Sequence, residues 1–412
     1  MYSVTSSSWS ERIFSCALLI GVASINAIPR LFDGMMILCL LISLGTVCSN
    51  TKHLDKQDRL FIGALCLYPL VSAISLLQQG SVELNEFDTL SRFLLCVPVY
   101  LFFRARKIAP QYFLVGALIA CVCFGATALH EVFRENEARA SGAINPITFG
   151  EISILFSFYT LLLLKFIPKH FDEQKILLAK ALIILAAGLG LIACVLSSSR
   201  GPLIAVPFLA LASLNVLQVK FKPKTLFVTC SVIICALVAS LYIAPVASRV
   251  NDTLLDLKSI QQGNTNTSIG IRTEVWQASW TLFKAHPMAG VGKERLVEEI
   301  RSQQHALNVP SYALGYHAHN DYLQLLSELG IIGLMSVLAL YLGAAFMARR
   351  AAPTPKLLVL GVCICWLTFG LTQVQLAHQR ITLIEVITLV CFFAYYKNND
   401  SIRSNQESKT DT

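Results

Sequence analysis

The chain has 412 residues, of which 55% are apolar and only 14% charged. Soluble domains carry about 25% charged residues, so this composition cannot cover a water-facing surface and excludes an ordinary soluble fold. The formal net charge of +8 is accounted for by loop topology, and nucleic-acid binding is not needed to explain it.

A membrane-spanning helix needs roughly 20 mostly apolar residues. Such runs occur at 13–29, 34–50, 60–78, 90–103, 109–129, 147–167, 180–198, 201–219 and 226–247. A polar stretch over 248–320 follows, then apolar runs at 321–347, 357–375 and 381–396. The tail 397–412, NNDSIRSNQESKTDT after Lys397, is polar and expected to be disordered. The pattern predicts an all-α polytopic membrane protein with about twelve transmembrane helices. Nine lie within 1–247, one long loop bearing amphipathic helices covers 248–320, and three more fill 321–396. The first run shows no small-residue cleavage site of a signal peptide, and no internal repeat is visible.

With loops assigned alternately, the side holding both termini collects 20 of the 33 Lys and Arg residues, including RARK (104–107) and KFKPK (220–224). Short loops rich in Lys and Arg stay cytoplasmic, so both termini are expected inside and the long loop outside. The inner side carries 13 Lys and 7 Arg, the outer side 3 Lys and 10 Arg. Arginine binds phosphate through a planar fork, so the outer excess points to an anionic ligand. The alternative is chance in a small sample. All 13 cysteines lie in or beside apolar runs, which suits small buried hydrophobes rather than disulfides or metal ligands.

Four polar stretches on the expected outer side carry the candidate chemistry. EARASGAINPITFGE (137–151) places Arg139 and Glu151 around a turn at Gly142 and Pro146; it is either a capped re-entrant turn or part of a ligand site. SSSRG (197–201) joins two apolar runs and leaves Arg200 at the membrane boundary. A charge there is costly unless paired, solvated or snorkelling. Pro202 at a helix start beside open serine hydroxyls offers an anion site as the other option.

In GIRTEVWQASWTLFKAHPMAGVG (270–292), Val275, Trp276, Ser279, Leu282 and Phe283 share one helical face, with Trp280 adjacent. Such a face suits the lipid headgroup layer. The helix is expected to begin at Arg272 and Thr273 and to end at His286–Pro287. Arg272 would then sit at the positive end of the macrodipole, which disfavours it by a few tenths of a kcal/mol and hints at a ligand. Gly290 and Gly292 permit close backbone approach.

The fourth stretch reads SYALGYHAHNDYLQLLSELGIIGL (311–334). If the tenth helix starts near His319, His317 and His319 point about 200° apart and cannot share a face. Two histidines at that spacing chelate poorly, and no C-x-x-C or H-E-x-x-H pattern is present, so no metal site is expected. A histidine accepts a proton near neutral pH, and no nucleophile-elbow motif accompanies it.

Together these stretches resemble the bacterial O-antigen ligase/polymerase superfamily. His319-Asn320, nine residues, then Gly330 and Gly333 is similar to the ligase signature. Arg272, Trp276, Pro287, Gly290 and Gly292 match its Arg…Trp…Pro-x-x-Gly-x-Gly element, SSSRG matches its Ser-Arg element at Arg200, and RASGAINP (139–146) resembles a looser one. The resemblance implies a GT-C-like, metal-independent glycosyltransferase of the inner membrane that needs no cofactor and works on the periplasmic face. Its donor would be an undecaprenyl diphosphate-linked glycan and its acceptor a sugar hydroxyl of lipid A–core. His319 would be the catalytic base. Arg200, Arg272 and Arg139 would bind the donor diphosphate, and His317, Asn320 and Asp321 would support the site. Glu328 is expected to make a helix–helix hydrogen bond. A polymerase joining lipid-linked units is the alternative within the superfamily, with a protein O-oligosaccharyltransferase or a lipid-glycan transporter further off.

Overall fold

The computed structural model describes residues 9–45, 54–80, 87–168, 170–216 and 244–410. Among these residues all regular structure is helical, with no strand. The helices are α1 (Trp9–Ser24), α2 (Pro29–Leu44), α3 (Lys56–Gln78), α4 (Asp88–Arg106), α5 (Gln111–Phe133), α6 (Pro146–Leu162), α7 (Glu173–Leu196) and α8 (Ala205–Val216). There follow α9 (Ala244–Gln261), α10 (Ser268–Ala285), α11 (Leu296–Ser302), α12 (Gln304–Leu307), α13 (Asp321–Ala348), α14 (Pro353–Phe369) and α15 (Gln379–Thr410). Helices α1–α8 and α13–α15 each overlap one of the apolar runs. The ninth run, 226–247, lies outside the described residues up to 243.

Six described helices are long and apolar enough to cross a membrane: Lys56–Gln78, Gln111–Phe133, Pro146–Phe166, Glu173–Leu196, Asp321–Ala348 and Gln379–Asp400. Pro202–Ala212 and Pro353–Phe369 are shorter apolar helices. Their burial sorts them. The most apolar window of α15 is 89% buried and that of Pro146–Phe166 83%, whereas that of α7 is 28%. Leucines 177, 178 and 185 on α7 are accordingly exposed, as expected of a helix whose outward face meets lipid rather than water. This is a helical membrane protein with α6 and α15 at its centre.

At the expected cytoplasmic end, Asp58 of α3 is fully buried and accepts from Tyr100 Oη at 2.5 Å and Arg104 Nε at 3.1 Å. Arg104 Nη1 reaches Asn398 Oδ1 at 2.6 Å, and Lys397 Nζ pairs with Asp55 Oδ2 at 2.6 Å. These contacts hold the start of the stretch expected to be a disordered tail, where Lys397 and Asn398 are buried against α3 and α4.

The stretch 248–320 holds α10, α11 and α12 and builds a second small core. Val275, Ala278 and Leu282 of α10 pack with Leu296, Ile300, Val309, Ala313 and Ala318. The α10 face expected to meet headgroups therefore turns inward onto its own loop helices. Trp280 and Met288 remain exposed outside it.

Candidate functional site

The site begins with a broken helix. α13 has non-helical backbone at Gly330 (φ 64°, ψ −161°), so the bonds that would join residues 327 to 331 and 328 to 332 are lost. Polar backbone groups cannot be left unpaired inside a membrane protein. Each orphan is met by the segment 287–292. Val291 N donates to Ser327 O at 2.8 Å and Gly292 N to Glu328 O at 2.9 Å. Ile331 N donates to Pro287 O at 2.9 Å and Ile332 N to Met288 O at 3.4 Å. The Pro-x-x-Gly-x-Gly and Gly-x-x-Gly elements are thus one structural unit. A Cβ on Gly290 would lie 2.3 Å from the Glu328 carbonyl carbon, and one on Gly330 2.3 Å from that of Met288.

Beneath the break, Lys293 and Glu328 are buried together, with Nζ to Oε2 at 3.2 Å, and Lys293 also bonds Glu294. Burial alone would lower the Lys293 pKa; the charges of Glu328 and Glu294 outweigh it and hold it well above the usual value. Glu328 Oε1 accepts from Gln324 Nε2 at 2.6 Å, and Gln324 Oε1 accepts from Ala318 N at 3.0 Å. Trp276 Nε1 donates to Ala318 O at 2.6 Å. The residue between the two histidines is therefore held from α10 and α13 at once.

His317 and His319 precede α13, which starts at Asp321 with Asn320 as its N-cap, Oδ1 accepting from Leu323 N at 3.0 Å. This corrects the helical-spacing expectation. Both rings sit in a loop, 4.2 Å apart between centroids, with His378 6.4 Å from His317. His319 occupies the left-handed region at φ 48°, which costs a non-glycine residue about 1–2 kcal/mol. Its ring meets Gln373: Nδ1 lies 3.3 Å from Gln373 Oε1, and Gln373 Nε2 bonds His378 Nε2. With Gln373 in this orientation its amide oxygen, which only accepts, pairs with a proton on His319 Nδ1 and leaves Nε2 as the basic nitrogen. Asp321 is buried and acts one step back, accepting from Gln375 Nε2 at 3.2 Å and Leu376 N at 3.4 Å. Asn320 Nδ2 donates to Leu371 O at 3.1 Å. Both clamp the 370–376 connection that presents Gln373. Gln373 and His378 were not singled out in the sequence. Their signal is the polar run TQVQLAHQR (372–380), which interrupts apolar sequence in a connection between α14 and α15.

If Gln373 fixes the His319 tautomer, Gln373→Leu should lower turnover by roughly ten- to hundredfold, less than the ~10^4 lost when a charged orienting group is removed from a hydrolase triad. Gln373→Glu should instead move the acid limb of the pH–rate profile upward, since a carboxylate favours imidazolium. An unmoved limb in the Glu variant would contradict the contact.

The three arginines lie on other elements. α10 begins at Ser268, capped by Thr267 accepting from Gly270 N at 3.1 Å. Arg272 therefore sits in the second turn rather than at the helix start, and the expected conflict with the macrodipole is relieved. Its cation is disfavoured first by burial and then by the charge of Arg200. The Arg272 charge in turn acts on both His317 and His319. Burial, His317 and Arg272 together lower the His319 pKa from 6.5 to about 4, while His317 and His378 are lowered mainly by burial. The three histidines are thus neutral at neutral pH. Arg139 donates from Nε to Ser197 O and from Nη2 to Ser199 Oγ, each at 3.0 Å, so it braces the turn that leads to exposed Arg200. Among the described residues, no group of three His, Cys, Asp or Glu side chains is arranged to hold a metal ion.

A model of the O-antigen ligase family matches residues 185–338, a span containing Arg200, Arg272, the Gly290–Gly330 contact and His319 but not Arg139, Gln373 or His378. An uncharacterized protein of Haemophilus influenzae is 23% identical over 395 residues, covering 92% of this chain and 98% of that protein. The O-antigen ligase of Escherichia coli is 25% identical over 214 residues, half of each chain. The chain is thus similar to the O-antigen ligase family over residues 185–338 and to that ligase over half of its length.

Proposed function

We propose that this chain is an O-antigen ligase that transfers a glycan from undecaprenyl diphosphate to a sugar hydroxyl of lipid A–core, on the periplasmic face of the inner membrane. The observation carrying the proposal is that Arg272, partly buried in the second turn of α10, lies within electrostatic reach of Arg200 on one side and of His317 and His319 on the other. Partly buried Arg272 and exposed Arg200 disfavour each other's charge, and a diphosphate between them relieves that repulsion. The acceptor hydroxyl attacks the anomeric carbon from the face opposite the diphosphate, and His319 Nε2 takes its proton. The new C–O bond forms as the bond to the diphosphate breaks. The diphosphate keeps the electron pair and stays on its lipid, so the anomeric centre inverts. Arg200 and Arg272 stabilise the charge that grows on the leaving group. Donor binding also offsets the positive charge acting on His319, so its basicity rises when a proton must be taken. Arg139 contributes by bracing the Ser197–Ser199 turn, and His317, Asn320 and Asp321 by positioning the His319 loop.

Purified protein given undecaprenyl diphosphate-linked glycan and rough lipopolysaccharide should produce ladder-bearing lipopolysaccharide. Arg272→Ala should lower kcat/KM by about 10^2–10^3, with Arg272→Lys restoring only part. Unchanged activity in Arg200→Ala, Arg272→Ala and the double variant would remove the diphosphate role. Deletion strains separate ligase from polymerase: loss of a ligase leaves long polymer on the lipid carrier, and loss of a polymerase leaves single-repeat lipopolysaccharide.

A further inference from the structure

An open cleft of about 430 Å³ lies beside this site and shares one residue with the His319 network. Its lining includes Asp33 of α2, Arg92 of α4, Asn145 and Thr148 at the start of α6, and His378 and Arg380 at the start of α15. Arg200, Arg272 and His319 do not line it. His378 does, and its Nε2 accepts from Gln373, whose Oε1 bonds His319. The cleft and the basic nitrogen are therefore on two sides of one Gln–His bridge.

The polar groups of the cleft are only partly used. Arg380 Nη2 and Asp33 Oδ2 approach no closer than 3.9 Å. Arg92 Nη2 contacts both oxygens of Asp88, at 3.1 and 3.0 Å, while its Nε is buried with no acceptor. A buried donor left unmet costs about 1–3 kcal/mol. Charge then decides the class of ligand. Two arginines are balanced by Asp33 and Asp88, so the cleft is close to neutral, unlike the Arg200–Arg272 pair. It does not suit a dianion. A mixed set of guanidinium, carboxylate, amide and hydroxyl groups is what donates to and accepts from neighbouring hydroxyls on one ring, and the volume falls in the ordinary range for small-molecule sites.

We propose that this cleft binds the acceptor, holding a neutral, hydroxyl-rich saccharide unit so that a further hydroxyl reaches His319 past His378. The proposal rests on the ligase reading above and assigns it a second substrate site. The test uses the full-length purified protein with undecaprenyl diphosphate-linked glycan as donor, rough lipopolysaccharide as acceptor, and Asp33→Asn, Arg380→Gln and Arg380→Lys variants. Acceptor KM should rise tenfold or more in the first two and less in the third, with donor KM unchanged and kcat at saturating acceptor within about threefold. Delipidated core oligosaccharide should compete with lipopolysaccharide for the wild-type protein and compete more weakly with the variants. An unchanged acceptor KM, a raised donor KM instead, or failure of the delipidated oligosaccharide to compete would each overturn the cleft assignment. Wild-type protein that transfers nothing would overturn the ligase reading itself. Thermal unfolding of each variant identifies any that fold poorly, and Arg380→Lys keeps a cation in place should the other two be unstable.

Discussion

His319→Ala is expected to lower transfer by roughly 10^2–10^4, the usual contribution of a positioned base, while donor affinity stays within a fewfold. The expectation follows from a ring whose Nδ1 is committed to Gln373 and whose Nε2 is left to accept a proton. It also has a pH signature. The pKa of His319 is lowered to about 4 from 6.5, by burial first and then by His317 and Arg272. The free enzyme thus holds a neutral base down to about pH 5, and kcat/KM should fall only as pH approaches 4. On the proposed donor site, the limb of kcat should lie higher, because a diphosphate bound there would offset Arg272. Folding stability has the matching sign. Between 6.5 and 4 the unfolded chain binds a proton at this residue and the folded one does not, so stability falls as pH drops through that window. His317 and His378 act in the same direction. Full activity in a well-folded His319→Ala protein would exclude the assigned base.

Gly290→Ala should have a still larger effect, on folding itself. Gly290 has φ 66°, and an added Cβ would meet backbone atoms of Glu328 and Leu329 within 2.5 Å. Side-chain repacking cannot relieve a clash with backbone. Separating the two segments would uncover backbone groups on both, each costing several kcal/mol away from water. A left-handed alanine adds about 1–2 kcal/mol. We expect little or no folded protein by size exclusion of the detergent-solubilised chain. Gly343→Ala is the control: a Cβ there meets nothing within 4 Å, and in a helix the change should be neutral or favourable by up to about 1 kcal/mol. A Gly290→Ala protein as heat-stable as wild type would show that the contact between 287–292 and α13 is dispensable.

The helical membrane architecture was legible in the apolar runs, because length and composition alone decide what can sit in a bilayer. The polar clusters stand out in the sequence as well: Arg200, Arg272 and His319 lie far apart along the chain, and Arg272 is within electrostatic reach of both of the others. What was misread is instructive. Helical spacing, applied as if the tenth helix began near His319, separated the two histidines, although Asn320 directly before an apolar run is itself an N-cap signal. Thr267-Ser268 carried the same signal for α10, five residues ahead of Arg272. Gln373 and His378 do not stand out because a short polar connection between apolar helices looks the same whether it meets solvent or holds a histidine ring. The break at Gly330 was invisible, since a glycine in an apolar run fits a continuous helix equally well.

That break has a bearing on how the chain is made. Residues 287–292 leave the ribosome before α13, so the groups that satisfy its four orphaned backbone positions already exist when the broken helix is synthesised. Were the order reversed, α13 would enter the bilayer with those positions open and would have to wait for them. A circularly permuted chain that places 287–292 after α13 would therefore mature more slowly than the natural one, even though its finished contacts were the same.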